Sequence, residues 1–258
     1  MIHQIWWQGS GVVPGKYTGN QKKWRSLNPD MSYMCWDAEK IMPTVQKNFP
    51  RLTPVFHVLP YLVQKVDLAK YVLLYLYGGI YVDMDMEPVK PLRELMENNM
   101  TAGCIVARHN TEYMMTLLCM CIGLRDSPLI NNAVIACSSG NAMMKELIGV
   151  CVEACGRRLY TYLPRVISIN LTTGPVIFTQ VVQARKGRGD GGLVILPAHS
   201  FEPCNIFGKC SAETGEVFAI HRLDASWATG EKQLAIFLHR YGLLVLSVIL
   251  LIIYISRR

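Results

Sequence analysis

Two aspartates, Asp83 and Asp85, stand one residue apart at the end of a short apolar run, residues 80–82. Side chains two positions apart on an extended chain point to the same side. The two carboxylates would therefore repel each other, and burying either without a partner would be costly. A divalent cation such as Mg²⁺ or Mn²⁺ relieves both problems because it prefers carboxylate oxygens. The pair predicts a metal site at a strand end; a solvated acidic turn is the alternative, since Asp-x-Asp alone is a weak pattern.

The residues before this pair predict a helix that positions it. Apolar side chains recur at spacings of three and four between residues 59 and 77: Leu62, Val66, Ala69, Leu73 and Leu76. Pro60 occupies the place of a first-turn proline, and Gly78 with Gly79 ends the helix. The helix and the glycine turn would deliver the aspartates to one defined place, as α/β sheets present ligands at the carboxyl ends of strands.

Three polar residues on the predicted helix share one face. Asp67, Lys70 and Tyr71 are related by spacings of three and four residues, which brings their side chains together. By residue type alone, Lys70 would pair with Asp67 on the helix surface, an interaction worth about 0.3 kcal/mol.

The remaining pattern alternates strands with helices. We expect strands at residues 2–7, 32–36, 80–82, 102–107, 133–136, 193–196 and 217–220, and further helices at residues 37–48, 143–155 and 175–184. Asp37 is the expected N-cap of the first of these helices. Such alternation predicts an α/β layer architecture.

Composition bounds the organisation and the partners. The chain has 258 residues, 51% of them hydrophobic, which is enough for one domain of catalytic size, residues 1–230. The net charge of +7 is scattered and forms no basic stripe interleaved with aromatic residues, so nucleic acid is not an expected partner. The nine cysteines include no CxxC pair, which predicts buried thiols and neither a zinc site nor a complete disulfide framework.

The last part of the chain predicts a membrane anchor. Residues 241–255 carry no charge and would cover about 22 Å as a helix, short of the ~30 Å hydrocarbon core of a bilayer. Adding residues 234–238 makes the segment long enough. We therefore expect a single-pass C-terminal transmembrane helix within residues 231–258; a buried or interfacial helix is the alternative.

The block from Asp67 to Asp85, DLAKYVLLYLYGGIYVDMD, closely resembles the DXD-motif block of a glycosyltransferase family. That family contains the fungal inositol-phosphoceramide mannosyltransferases and the initiating mannosyltransferases of the Golgi. The glucosyltransferase domains of large clostridial toxins resemble it more distantly. Shorter stretches look like the same family: residues 2–6, 24–36, 173–175 and 221–227.

The resemblance implies a GT-A type fold, a single Rossmann-like domain with a mixed sheet. It also implies an enzyme, a metal-dependent retaining glycosyltransferase that uses Mn²⁺ or Mg²⁺. The donor would be a nucleotide-diphosphate sugar, GDP-mannose or a UDP-hexose, and the acceptor a membrane-associated lipid or glycan in the Golgi or ER. A catalytically silent membrane-bound module or subunit with the same fold is the alternative function. Whether a regulatory subunit exists stays open.

The resemblance also implies roles for individual residues. Asp67, Lys70, Asp83 and Asp85 would be catalytic, and Asp83, Asp85 and His221 would hold the metal. The nucleotide-sugar would contact Trp6, Asp67, Lys70, Tyr71, Gly79, Asp83, Asn132 and Trp227. By residue type alone, Trp6 would be a core aromatic, His221 an ordinary strand-end histidine and Asn132 a turn or cap residue. The toxin branch has Arg at the position of Lys70, and Lys lacks the bidentate fork of Arg.

Overall fold

A computed structural model of the protein describes residues 1–110, 128–157, 160, 162–189, 192–204, 210, 215–224, 230 and 233. Among these residues, no helix combines the length and the apolar character that crossing a membrane requires. The expected anchor within residues 231–258 lies outside the described residues apart from residue 233, and so does Trp227. The anchor and the division of the chain at residue 230 therefore stay predictions.

Strands and helices alternate along the chain, as expected for an α/β protein. The strands are β1 (Ile2–Ile5), β2 (Tyr33–Trp36), β3 (Gly79–Val82), β4 (Met86–Pro88), β5 (Cys104–Arg108), β6 (Ile130–Cys137), β7 (Leu193–Leu196) and β8 (Ala219–His221). The α-helices are α1 (Gly15–Leu27), α2 (Ala38–Asn48), α3 (Thr53–Val58), α4 (Leu62–Tyr77), α5 (Leu92–Glu97), α6 (Ala142–Gly156), α7 (Arg165–Thr172) and α8 (Pro175–Gly187).

In the described part of the chain, six strands form a mixed sheet in the order β2-β1-β3-β6-β5-β7. Strand β1 runs parallel to both β2 and β3, whereas β6 is antiparallel to β3 and β5. A separate antiparallel pair joins β4 to β8. The carboxyl ends of β1 and β3 and the amino end of β6 therefore meet at one edge of the sheet, which we call the site edge.

Both faces of the sheet are covered, because alternate side chains along its strands pack into different apolar clusters. In β3, Tyr81 packs into one apolar cluster, together with residues of α2, α3, α4, α6 and α8. Its neighbours Ile80 and Val82 pack into a second cluster, with residues of α1, α5 and β8. Because successive side chains of a strand point to opposite faces, each strand contributes to two cores. The α/β architecture with a mixed sheet is confirmed.

The start of the long helix differs from the prediction. Helix α4 begins at Leu62, so Pro60 does not lie in its first turn, and the short α3 precedes it. The ring of a proline disfavours the helical conformation of the residue that precedes it. Leu59, which precedes Pro60, is accordingly extended, with a ψ angle of 119°. The break therefore follows from Pro60 itself. The other end agrees with the prediction, since Gly78 ends the helix.

Other differences concern elements without a strong local pattern and one pair of cysteines. Among the described residues, four α-helices and one strand were not predicted: α1, α3, α5, α7 and β4. It also joins Cys204 to Cys210 in a disulfide, whereas buried thiols were expected. Five further described cysteines are not part of this disulfide: Cys35, Cys104, Cys137, Cys151 and Cys155.

Candidate active site at the edge of the sheet

A glycine turn fixes the start of the strand that carries the aspartates. Gly78 and Gly79 both have positive φ angles, 62° and 94°. A Cβ on Gly79 would lie 2.5 Å from the carbonyl oxygen of Met1, so only glycine fits there. Gly79 opens β3 and Asp83 follows its last residue. The structure therefore does not bring Gly79 to the aspartates, although the resemblance implied that it contacts the donor.

Three potential metal ligands converge at the site edge. One ligand atom from each of Asp83, Asp85 and His221 lies within 4.8 Å of the others, and all three residues are half-buried. Strand pairing explains the approach of the histidine, since His221 on β8 is opposite Met86 on β4. His221 Nε2 is 3.4 Å from Asp85 Oδ2. The arrangement brings together the three residues that the resemblance assigned to the metal.

Hydrogen bonds hold the two aspartates in place. The Tyr81 hydroxyl donates to Asp83 Oδ1 at 2.6 Å, and the Gln4 side chain donates to the carbonyl oxygen of Asp83 at 3.1 Å. The backbone N–H of Asp224 donates to Asp85 Oδ2 at 3.0 Å. Strands β1 and β3 and the segment after β8 thus all contribute to the position of these carboxylates.

The charges of this cluster are strongly coupled. Burial lowers the pKa of His221, but contacts with Asp85 and Glu202 outweigh it and raise the pKa to about 10. Burial raises the pKa of Asp83, and the positive charge of Lys70 opposes this. Burial also raises the pKa of Asp85, but the contacts with His221 and with a backbone N–H outweigh burial and lower the pKa of that carboxyl. A positive charge therefore lies beside the aspartates, as their proximity requires.

Below the metal cluster lies a buried ion pair on α4. Lys70 Nζ is 2.7 Å from Asp67 Oδ1, and both residues are almost fully buried. The Thr173 hydroxyl donates to Asp67 Oδ2 at 3.1 Å, and the Asn132 amide donates to Asp67 Oδ1 at 3.2 Å. The same amide group donates to the Tyr71 hydroxyl at 2.9 Å. The structure thus joins four of the expected donor-binding residues, Asp67, Lys70, Tyr71 and Asn132, in one network.

Burial restricts what Lys70 can do in this structure. Its side chain is 2% exposed, and its ammonium group lies 5.2 Å from the centre of the Tyr81 ring. The expectation that this ion pair lies on the helix surface is therefore wrong. The ammonium group is buried against Asp67, and its positive charge is felt at Asp83.

Trp6 lies at the same edge, just after β1. Its ring is tilted against Tyr17 at a centroid distance of 5.6 Å. Its buried indole N–H has no hydrogen-bond acceptor among the described residues. Lys16, next to Tyr17, pairs with Asp224, whose backbone contacts Asp85. Trp6 therefore lies at the site edge and is only partly buried.

Gln4, Tyr81 and Glu202 are among the residues at the site that were not predicted from the sequence. Tyr81 could have been found, because it precedes Asp83 by two positions and a strand puts such side chains on one face. Gln4 could have been found only once β1 was known to pair with β3. Glu202 contacts the ring of His221 at 2.6 Å, and no local motif marks it.

The donor set fits the expected divalent ion. Two carboxylates and an imidazole nitrogen face a common point, and the carboxylates suit Mg²⁺ and Mn²⁺ alike. Imidazole is a ligand favoured by first-row transition metals. The residues present can therefore hold the metal that the DXD resemblance implied.

The described chain thus has an α/β fold with carboxylates at the carboxyl edge of its central parallel strands. Solved structures with this fold include the PaToxG glycosyltransferase, with a TM-score of 0.50 at 17% identity over 74% of this chain and 71% of that one. Mouse xyloside xylosyltransferase 1 gives a TM-score of 0.50 at 12% identity over 86% and 97% of the two chains. These likenesses support the GT-A type fold and nothing beyond it.

Comparison of the sequence with known proteins indicates which class of enzyme part of the chain resembles. Residues 14–102 match the family described as "Glycosyltransferase sugar-binding region containing DXD motif". Inositol phosphoceramide mannosyltransferase 1 of Schizosaccharomyces pombe is 36% identical over 99 residues, 37% of this chain and 30% of that protein. The initiation-specific alpha-1,6-mannosyltransferase of Candida albicans is 27% identical over 103 residues, 38% and 27% of the two chains.

The resemblance seen in the sequence is confirmed, since residues 14–102 match the family model of the DXD-containing sugar-binding region of glycosyltransferases. The particular relatives of this region include named mannosyltransferases. The match covers less than a third of the length of either relative.

Proposed function

We propose that the protein is a metal-dependent glycosyltransferase that moves a hexose from a nucleotide-diphosphate sugar to a membrane-associated lipid or glycan. The observation that carries this proposal is the convergence of Asp83, Asp85 and His221 beside the buried network of Asp67. The matched family and the names of the relatives support the reaction class. The donor is GDP-mannose, as the mannosyltransferase relatives favour, or a UDP-hexose.

In this proposal Asp83, Asp85 and His221 hold the metal, with Mn²⁺ favoured over Mg²⁺ because one ligand is an imidazole nitrogen. When bound, the ion supplies a Lewis acid for the charge that develops on the leaving diphosphate. Asp67 and Asn132 orient the donor sugar, and Lys70 supports them from below with its positive charge. Trp6 stacks on the nucleotide base. Tyr71 holds Asn132.

Transfer with retention of configuration is part of the proposal. The acceptor oxygen bonds to the anomeric carbon on the face from which the diphosphate departs, and the carbon–oxygen bond to the diphosphate breaks. The departing oxygen takes the acceptor proton, so this route requires no protein nucleophile. The task of the protein is then to position the two substrates and to stabilise the leaving charge.

The acceptor is a lipid in the favoured version of the proposal. Three relatives from Schizosaccharomyces pombe are named inositol phosphoceramide mannosyltransferases. The apolar residues 241–255 would bring the site to a membrane surface if they form the expected anchor. Such an anchor would place the protein in a membrane of the Golgi or ER, where a glycan acceptor is also available.

The test is sugar release from GDP-mannose, UDP-glucose, UDP-galactose and UDP-N-acetylglucosamine, with Mn²⁺ or with EDTA. We expect release from one donor, loss with EDTA, and loss of at least about 100-fold in Asp85→Asn, since a ligand of the Lewis acid is removed. Asp30→Asn is the matched control, because Asp30 is exposed and pairs with Arg93 on the surface. It should retain full activity.

The other outcomes are equally informative. Release that persists in Asp85→Asn and in EDTA would refute the metal centre. A folded protein that neither binds any of the four donors nor binds Mn²⁺ would favour the silent module with the same fold.

A further inference from the structure

Glu202 is a buried carboxylate outside the proposed donor site. It has no exposed surface and follows Phe201, which packs against Phe218 in the second core cluster. A carboxylate removed from water is costly unless it is paired and fully hydrogen-bonded. Its position in the protein therefore needs an explanation in terms of its partners.

Both oxygens of Glu202 are engaged. Oε1 is 2.6 Å from His221 Nδ1. Oε2 accepts the backbone N–H of Asn110 at 2.9 Å and lies 3.0 Å from His109 Nδ1. A carboxylate oxygen accepts hydrogen bonds, so in the short contact the Nδ1–H of His221 donates to Oε1 of Glu202.

The backbone holds Glu202 and His221 together as well. The N–H of His221 donates to the carbonyl oxygen of Phe201 at 2.9 Å, and the N–H of Phe218 donates to that of Ser200 at 2.9 Å. Two backbone hydrogen bonds therefore attach the segment that carries Glu202 to the segment that carries His221. They keep the backbones of the two residues close together, so the carboxylate can reach the imidazole.

We propose that Glu202 is a positioning residue for the metal centre, which keeps the proton of His221 on Nδ1 and directs Nε2 toward Asp83 and Asp85. A histidine that ligates a metal commonly donates its second ring N–H to a carboxylate, which fixes the tautomer and strengthens the ligand. The backbone N–H of Asn110 holds the other oxygen of Glu202. This role rests on the metal site of the proposed function, but it adds a residue that lies outside the DXD-containing segment.

The experiment measures Mn²⁺ affinity in the full chain, by titration of the free ion's electron paramagnetic resonance signal. Glu202→Gln keeps an oxygen that accepts the Nδ1 proton but loses the charge, so we expect binding about tenfold weaker. Glu202→Leu removes the acceptor, and we expect about 100-fold weaker binding. Glu146→Gln is the matched control: Glu146 pairs with Arg185 and Arg188 on the surface and should bind Mn²⁺ as the unmodified protein does.

A second readout separates positioning from a general effect on folding. Electron spin-echo modulation from a nitrogen bound to Mn²⁺ should be present in the unmodified protein and in Glu202→Gln, and reduced in Glu202→Leu. The melting temperature without metal shows whether each variant folds, and the isosteric Gln variant keeps the test valid if the Leu variant does not.

The outcomes distinguish two failures. If Asp85→Asn binds Mn²⁺ more weakly but both folded Glu202 variants bind it normally with full nitrogen modulation, the role of Glu202 is overturned and the metal centre stands. If Asp85→Asn binds Mn²⁺ as the unmodified protein does, the metal centre itself is misplaced and the role of Glu202 falls with it.

Discussion

Replacing Lys70 by Met tests whether the buried ion pair under the site behaves as a coupled unit. The 2.7 Å separation of Lys70 Nζ and Asp67 Oδ1 corresponds to an attraction of about 6 kcal/mol at an effective dielectric constant of 20. Desolvation of two side chains that are 2% and 6% exposed offsets most of this. The net contribution of the ion pair to the free energy of unfolding is therefore small. Removing one partner, however, leaves a buried charge without compensation, which is strongly destabilising.

We expect Lys70→Met to lower the free energy of unfolding by about 3 kcal/mol at pH 8, the lower end of the range for breaking a buried pair. The lower end applies because Asp67 keeps its hydrogen bonds from Thr173 and Asn132. The double variant Asp67→Asn with Lys70→Met removes both charges, so its loss should be smaller than the sum of the single losses by about 2 kcal/mol.

The pH dependence of this loss follows from the pKa of Asp67, which burial already raises against the opposing effect of Lys70. Without Lys70 that pKa rises further above its unfolded value. The folded state then holds a proton that the unfolded state has lost, so the folded state gains relative stability as the pH falls. The deficit of Lys70→Met should therefore be smaller at pH 5 than at pH 8.

Guanidinium unfolding of the four proteins of this cycle at both pH values measures these differences. Additive losses, or a deficit that does not change between pH 8 and pH 5, would refute the description of Asp67 and Lys70 as a mutually dependent buried pair.

Three further predictions concern the parts of the fold that support the site. Burial lowers the pKa of His3 to about 4, although its hydrogen bond to Gly78 opposes the shift. The unfolded state then binds more protons, so stability should fall by about 3 kcal/mol between pH 6.5 and pH 4, and His3→Gln should flatten this part of a stability-versus-pH curve. Gly79→Ala should lower the free energy of unfolding, measured with a chemical denaturant, by more than about 2 kcal/mol. Gly149→Ala, where the added Cβ lies in open space on a helix, should raise it by about 0.5 kcal/mol. Equal effects of the two substitutions would contradict the close approach of Gly79 to the Met1 carbonyl. Replacing Cys204 and Cys210 by Ser should lower stability by about 2 kcal/mol, and a reductant should lower the melting temperature only of the unmodified protein.

The sequence predicted the central elements of the site because their signals are local. The apolar spacing of α4, its glycine ending and the short apolar β3 lie within a few residues of Asp83. The structure keeps this order and changes only where Pro60 interrupts the helix. Local patterns of this kind need no information about the rest of the fold.

The parts that were missed depend on distant partners. Helix α1 has few buried residues, Tyr17 and Trp24, so its sequence lacks a clear apolar face. The role of Glu202 can be recognised only from its position next to His109, which is distant in the sequence, and next to His221. The disulfide could not be assigned because spacing does not determine which cysteines approach each other.

The pairing of β4 with β8 has a consequence for stability. Asp85 and Asp224 are in contact although 139 residues separate them, and His221 approaches from the same side. An ion held by Asp85 and His221 would therefore act as a cross-link that closes a very long loop of the chain. Loop-closure entropy grows with the length of the loop, and a ligand that binds only the folded state stabilises it by mass action. The metal would thus stabilise the folded chain as well as the negative charge that develops on the substrate.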